Sequence, residues 1–185
     1  HLLIFHDVYG ANYKVSLILE RMGVEVQWLN SEDAGRLADF VKSNTKMIFL
    51  ETPTNPLIRV VDVAAARKAC DKSGAILVVD NTFATPFHQN PLTLGAHIVV
   101  HSATKGLGGH NDLMAGAICC DKDRYNDLWF TRQAIGATLD AYSASLLERG
   151  LKTFELRAAK MAGNALAMAR FLRERPEISN LRYPG

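Results

Sequence analysis

The sequence predicts an α/β chain: a mostly parallel sheet flanked by helices. Short apolar runs recur along the first two thirds of the chain, each of strand length and each closed by polar or turn residues. Stretches with helical spacing lie between them, and this alternation is the pattern of parallel strands joined by crossover helices. Beyond Asp121 the strand-like runs stop and only helical periodicity remains.

The elements follow in order. Residues 1–6 read as a first strand, and Asp7 to Gly10 as the turn after it. Ala11 to Met22 places Val15, Ile18, Leu19 and Met22 on one helical face, and Gly23 ends it. Val24 to Leu29 alternates like a strand, and Asp33 to Lys42 reads as a short amphipathic helix. Lys46 to Leu50 is a third strand, running into Glu51-Thr52-Pro53-Thr54-Asn55-Pro56, where two prolines fix an extended turn. Asp62 caps a helix over Val63 to Lys72, closed by Gly74. A strand from Ala75 to Asp80 follows. A loop from Thr85-Pro86 to Pro91-Leu92 returns the chain to the strand Ala96 to Val100. Leu113 to Cys120 reads as one more strand. Helices are expected over Arg124 to Ala134, Tyr142 to Leu147 and Leu151 to Glu174, the last stopped by Pro176. This divides the chain into an α/β unit, residues 1–140, and a helical segment, residues 141–185.

Composition narrows the function classes. Of 185 residues, 48% are hydrophobic and 22% charged, the balance of a globular protein with a real core. Lys and Arg number 21 against 19 for Asp and Glu, and the basic residues are scattered, so no nucleic-acid partner is indicated. No apolar run is long enough to span a bilayer, and no membrane partner is expected. Cys70 lies in a helical pattern and Cys119 and Cys120 are adjacent, which suggests neither a disulfide framework nor a metal site. A reduced cytoplasm is the simplest location. The histidines are spaced irregularly, without a ligand pair on one helix face, so no metal is expected. His101 reads as a core residue or one behind a site. Arg59, Arg132 and Arg149 read as structural or surface ion pairs.

Two strand ends carry chemistry. After Ala96 to Val100 comes His101-Ser102-Ala103-Thr104-Lys105-Gly106-Leu107-Gly108-Gly109-His110. An amine between two hydroxyls suits a phosphate-bearing aldehyde: Lys105 can form an imine, and Ser102 and Thr104 can hydrogen-bond a phosphate. The glycines let the backbone approach a flat ring. A lysine is a poor nucleophile while protonated, so a cationic, partly buried setting is expected. The second end is Asp80, an acid after five apolar residues, costly to leave unpaired. A lysine and an acid that keeps a ring nitrogen protonated are the two fixtures of pyridoxal 5′-phosphate (PLP) chemistry. Ligands of open α/β sheets sit at the carboxyl ends of strands, where both residues fall. The alternative from another class is a non-catalytic α/β domain in which Lys105 only contacts a phosphate.

The chain resembles the Cys/Met-metabolism PLP enzymes, a family that includes cystathionine γ-synthases, cystathionine γ- and β-lyases, methionine γ-lyases and O-acylhomoserine sulfhydrylases. The matching stretches are Val8-Tyr9-Gly10, Glu51 to Pro56, Val79 to Pro86, His101 to Gly116, Arg149-Gly150-Leu151-Lys152-Thr153 and Tyr183-Pro184-Gly185. They occur in family order along essentially the whole chain. The resemblance implies the large domain of a fold-type I PLP-dependent transferase, and a chain that is the middle of a longer one. It implies PLP held by Lys105, with Asp80 on the ring nitrogen and Ser102 and Thr104 on the phosphate. Tyr9, otherwise a strand-end aromatic, would stack on the ring and shuttle a proton. Asn55, otherwise a turn residue before proline, would contact the phenolic oxygen. The substrate is an amino acid, and its carboxylate-binding arginine is expected outside this chain. A homodimer or homotetramer is implied, with active sites at the dimer interface. Gly10-Ala11-Asn12 departs from the family's usual Gly-Gly-Thr near the substrate. Gly108 to Gly116 looks more like γ-synthases and γ-lyases than β-lyases. This favours γ-replacement or γ-elimination on homoserine esters or sulfur amino acids; methionine γ-lyase, O-acylhomoserine sulfhydrylase and cystathionine β-lyase are the alternatives. Arg149 falls in a matching stretch without an assigned role.

Overall fold

The structure is a computed structural model that describes residues 1–184; Gly185, the last residue of the Tyr183-Pro184-Gly185 stretch, lies outside them. The apolar runs become strands β1 (Leu2–Phe5), β2 (Val26–Leu29), β3 (Met47–Glu51), β4 (Ile76–Asp80) and β5 (Ile98–Ser102), with β6 (Gly116–Cys120) after the lysine loop. They form one sheet in the order β2-β1-β3-β4-β5-β6. All neighbours pair in parallel except β6, which runs antiparallel to β5 and sets Gly116 opposite Ser102. The reversal follows from the connection: residues 103–115 turn the chain back directly, with no crossover helix.

Helices α1 (Gly10–Arg21), α2 (Leu37–Phe40), α3 (Val63–Cys70) and α4 (Thr85–His88) lie in the crossovers. Helices α5 (Lys122–Ala134), α6 (Ala141–Leu151) and α7 (Phe154–Arg173) follow the sheet. Leu77, Val78 and Val79 are successive residues of β4 and all are buried, so both faces of the central sheet are covered. Leu3, Ile48, Leu50 and Ala66 join them in the core. Asp62 caps α3 as expected, its carboxylate accepting the Ala65 N–H at 2.9 Å.

Several elements differ from the sequence expectation. The face of α1 carrying Val15, Ile18 and Met22 is exposed, and Ser16 turns inward instead. Two anchors fix that rotation: the Tyr9 N–H on Glu51 at the start of the helix, and the Tyr13 ring against Trp28, 5.6 Å between centroids. The helix expected over residues 33–42 is a 3-10 turn, Ser31–Arg36, followed by the single turn α2. The expected loop after Thr85 holds α4 and a 3-10 turn, Pro91–Leu94. Strand β6 starts at Gly116 rather than Leu113, because Ala115 is bound through its N–H and carbonyl to Thr104. The long helix expected from Leu151 is broken: α6 runs through Leu151 and α7 starts at Phe154, leaving a corner at Lys152-Thr153.

Candidate active site

Four neighbouring parallel strands end at one edge of the sheet, and each delivers a residue singled out from the sequence. Tyr9 follows β1, Asn55 follows β3, Asp80 closes β4, and Ser102, Thr104 and Lys105 close or follow β5. The strand order reverses between β1 and β3, and such a switch point opens a crevice at the carboxyl end of an open sheet. Tyr9 and Asn55 flank it.

Local contacts lock these ends together. Tyr9 is 59% exposed, so its ring is free of the core, while its backbone N–H donates to Glu51 Oε2 at 2.8 Å. Glu51 is the register partner of Asp80 across β3 and β4. Asp80 accepts the Thr82 N–H on Oδ1 at 2.9 Å, and Thr82 Oγ1 in turn accepts the Ser102 N–H at 2.8 Å. The carboxylate of β4 is thereby tied to the phosphate-candidate strand end of β5. Asn81 is buried and exchanges hydrogen bonds with Gln89: its Nδ2 donates to the Gln89 carbonyl and its Oδ1 accepts from Gln89 Nε2, both at 2.9 Å. Gln89 Nε2 also donates to the Thr52 carbonyl at 3.3 Å, so one amide braces the loops after β3 and β4.

The lysine loop is a closed turn. The Gly108 N–H donates to the Ala103 carbonyl and the Gly109 N–H to the Lys105 carbonyl, each at 2.8 Å. Thr104 Oγ1 accepts the Ala115 N–H at 2.9 Å and donates to the Ala115 carbonyl at 3.3 Å, so its hydroxyl also braces the return of the loop. Lys105 is exposed rather than partly buried, because the turn carries it out past the end of β5. Asn55 is half-buried between two cis X-Pro peptide bonds, Thr52-Pro53 and Asn55-Pro56.

Two titratable groups behind this edge were not singled out by their chemistry. Glu51 is 3% exposed, and burial together with the nearby Asp80 charge pushes its carboxyl up to about 7 against the pull of the Tyr9 N–H. An acid after an apolar run is the same signal that marks Asp80, and it was available at Glu51. His101 is buried with Nδ1 unpartnered among the described residues, and burial holds it below the ordinary histidine value. Arg59 pairs with Glu32 and lies 3.8 Å from Asp7, and Arg149 pairs with Asp112. Among the described residues no group of three or more His, Cys, Asp or Glu side chains could hold a metal ion, and no helix is long and apolar enough to cross a membrane. An apolar cavity of about 610 Å³ lies beside the edge, lined by Pro53, Phe83, Gly106, Phe154 and Met161; it includes neither Lys105 nor Asp80.

A lysine after one strand and a carboxylate closing the adjacent strand are the pair of groups that PLP-binding domains use. The model of the Cys/Met metabolism PLP-dependent enzyme family matches residues 1–185, and the chain belongs to that family. It is 41% identical to a cystathionine gamma-lyase of Bacillus subtilis and 42% identical to a cystathionine gamma-synthase/O-acetylhomoserine (thiol)-lyase of the same organism. In both cases the match covers 100% of this chain, and 49% and 50% of the relatives. A cystathionine beta-lyase of Bacillus subtilis is 38% identical over the whole chain. Among solved structures, the cystathionine gamma-lyase of Lactobacillus plantarum complexed with L-serine superposes with a TM-score of 0.95 at 34% identity. That match covers 100% of this chain and 49% of the other. The chain thus spans about half the length of the relatives it matches.

Proposed function

We propose that this chain forms the cofactor-binding part of a PLP-dependent trans-sulfuration enzyme. The enzyme acts on homoserine esters or sulfur amino acids by γ-replacement or γ-elimination. The observation that carries the reading is the convergence of Tyr9, Asn55, Asp80, Ser102, Thr104 and Lys105 on one edge formed by four adjacent strand ends. The residues fit PLP on the structure's own terms. The Thr82 N–H binds Asp80 Oδ1 and holds the carboxylate at the strand end, where it would meet the ring nitrogen. Tyr9 presents a ring free of the core, and a turn containing three glycines follows the lysine.

When bound, PLP supplies an electron sink for bonds at the substrate's Cα. The chain's own residues divide the remaining work. Lys105 Nζ would hold the cofactor aldehyde covalently, and as a free amine it would carry protons at the substrate's Cα and, for γ-chemistry, at Cβ. Asp80 keeps the ring nitrogen protonated. Ser102 would hold the phosphate by its hydroxyl, and Thr104 would do so by turning its single O–H from the 3.3 Å bond to the Ala115 carbonyl while still accepting the Ala115 N–H; Tyr9 would cover the ring, and Asn55 would donate to the phenolic oxygen. In this reading residues 1–140 are the cofactor-binding unit and residues 141–185 a helical segment leading on from it. The enzyme works in the cytoplasm as a homodimer or homotetramer.

The relatives include γ-synthase, γ-lyase and β-lyase names, and the stretch Gly108 to Gly116 favours the γ-branch. Four separate assays decide the reaction: O-succinyl- or O-acetylhomoserine with cysteine, the same esters with sulfide, cystathionine alone, and methionine alone. Cystathionine formed in the first assay, or γ-elimination products in the last two, support the reading. Pyruvate from cystathionine with no γ-chemistry on any substrate overturns it in favour of a β-lyase.

A further inference from the structure

The stretch Arg149-Gly150-Leu151-Lys152-Thr153 carries no chemistry of its own, yet the structure sets it directly against the lysine loop. Helix α6 ends at Leu151 and α7 starts at Phe154, and the corner between them packs on residues 106–109. The contact is too close for side chains. A Cβ at Gly150 would collide with the backbone of Gly108, its carbonyl oxygen first. Gly109 has φ +74°, a conformation that L side chains rarely adopt.

Arg157, on the first turn of α7, spans this contact. Its Nη1 donates to the Gly106 carbonyl at 2.8 Å. Its Nη2 donates to the Leu107 carbonyl at 3.2 Å and to the Gly150 carbonyl at 2.7 Å. Its Nε donates to Thr153 Oγ1 at 3.1 Å, which orients the guanidinium plane. Gly106 and Leu107 are the two residues immediately after Lys105. Farther along the same loop, Asp112 pairs with Arg149 on α6. The turn's internal bonds use the Ala103 and Lys105 carbonyls, and Arg157 takes the next two. A guanidinium offers five donors in a fixed planar fork, whereas an ammonium is a compact point charge that cannot reproduce that spread.

We infer that Arg157 is a positioning residue for Lys105: by binding three backbone carbonyls it locks the lysine loop to the α6–α7 corner and fixes where the amine stands over the sheet edge. Arg157 acts through the loop and does not touch the reacting atoms. The matching stretch around Arg149 thereby gains a function, with Gly150 permitting the approach, Thr153 aiming Arg157, and Arg149 holding Asp112. The inference rests on the reading of Lys105 as the cofactor lysine.

The test compares Arg157→Lys, Arg157→Ala and Thr153→Val with the parent holoenzyme. The first readout is the rate at which apoenzyme with added PLP develops a visible band that borohydride abolishes. The second is the pH midpoint of that band, and the third is kcat and KM separately. Misplacing a reacting group by about 1 Å costs about 100-fold in rate. Arg157→Lys is therefore expected to lower kcat by about 10- to 100-fold with KM nearly unchanged, to slow band formation and to move its pH midpoint. Thr153→Val is expected to do the same more weakly, and it decides the matter if Arg157→Ala does not fold. A lowered melting temperature with unchanged band kinetics, pH midpoint and kcat in Arg157→Lys and Thr153→Val would make Arg157 an ordinary brace and overturn the inference. A parent protein that forms no reducible band instead fails the PLP reading itself, so the two failures are told apart.

Discussion

At the scale of single residues, the most informative side chain is Glu51. It stands beside Asp80 on the neighbouring strand, is almost wholly buried, and takes the Tyr9 N–H. An ordinary glutamate titrates at about 4.3; burial and the Asp80 charge push Glu51 up to about 7. Between those values the folded chain keeps a proton that the unfolded chain releases. Stability therefore falls as pH rises through this window, by about 3–4 kcal/mol in all. Glu51→Gln removes the titration and keeps an oxygen for the Tyr9 N–H. Urea unfolding at pH 5 and pH 8 is expected to show the variant gaining on the parent by up to that amount at the higher pH. Parallel stability differences at both pH values would mean that Glu51 does not titrate as described. The lesson for reading the sequence is specific. Asp80 and Glu51 carry the same signal, an acid closing an apolar run, and Glu51 runs straight into a Pro-rich turn.

At the scale of elements, the strands were legible and the helix faces were less so. Runs such as Ile76 to Val79 bury side chains on both faces, and that demand is written in local composition. Strand β6 was legible as a strand, but its direction depends on the loop before it. The rotation of α1 depends on Glu51 and Trp28, neither of which lies in the helix, so helical spacing alone does not tell which face turns inward. The α6–α7 corner and the reach of Arg157 are tertiary facts with no periodic signal. Stability should be divided the same way. Leu77→Ala, in the fully buried middle of β4, is expected to cost about 2–5 kcal/mol through lost contacts and a residual cavity. Asp62→Ala, which removes the exposed cap of α3, is expected to cost about 1 kcal/mol. Denaturant unfolding of the two variants measures the difference. Equal losses would contradict a core centred on β4.

At the scale of the whole molecule, the proposed function rests on one sheet edge. Lys105 and Asp80 were legible there because each follows a buried run and each is chemically conspicuous. Thr82, Asn81 and Gln89 were not, because their value lies in linking strand ends that are distant in sequence. Parallel topology makes the edge by bringing the ends of β1, β3, β4 and β5 side by side. Everything assigned to Asp80, Ser102, Thr104, Tyr9 and Asn55 presupposes that Lys105 is the amine that holds the cofactor. The most direct measurement reduces the PLP-loaded protein with borohydride, digests it and locates the modified peptide by mass spectrometry, in the parent and in Lys105→Ala. The account predicts a single pyridoxyl adduct on Lys105 in the parent and none in the variant. An adduct on another lysine, or an adduct that survives in Lys105→Ala, would contradict it.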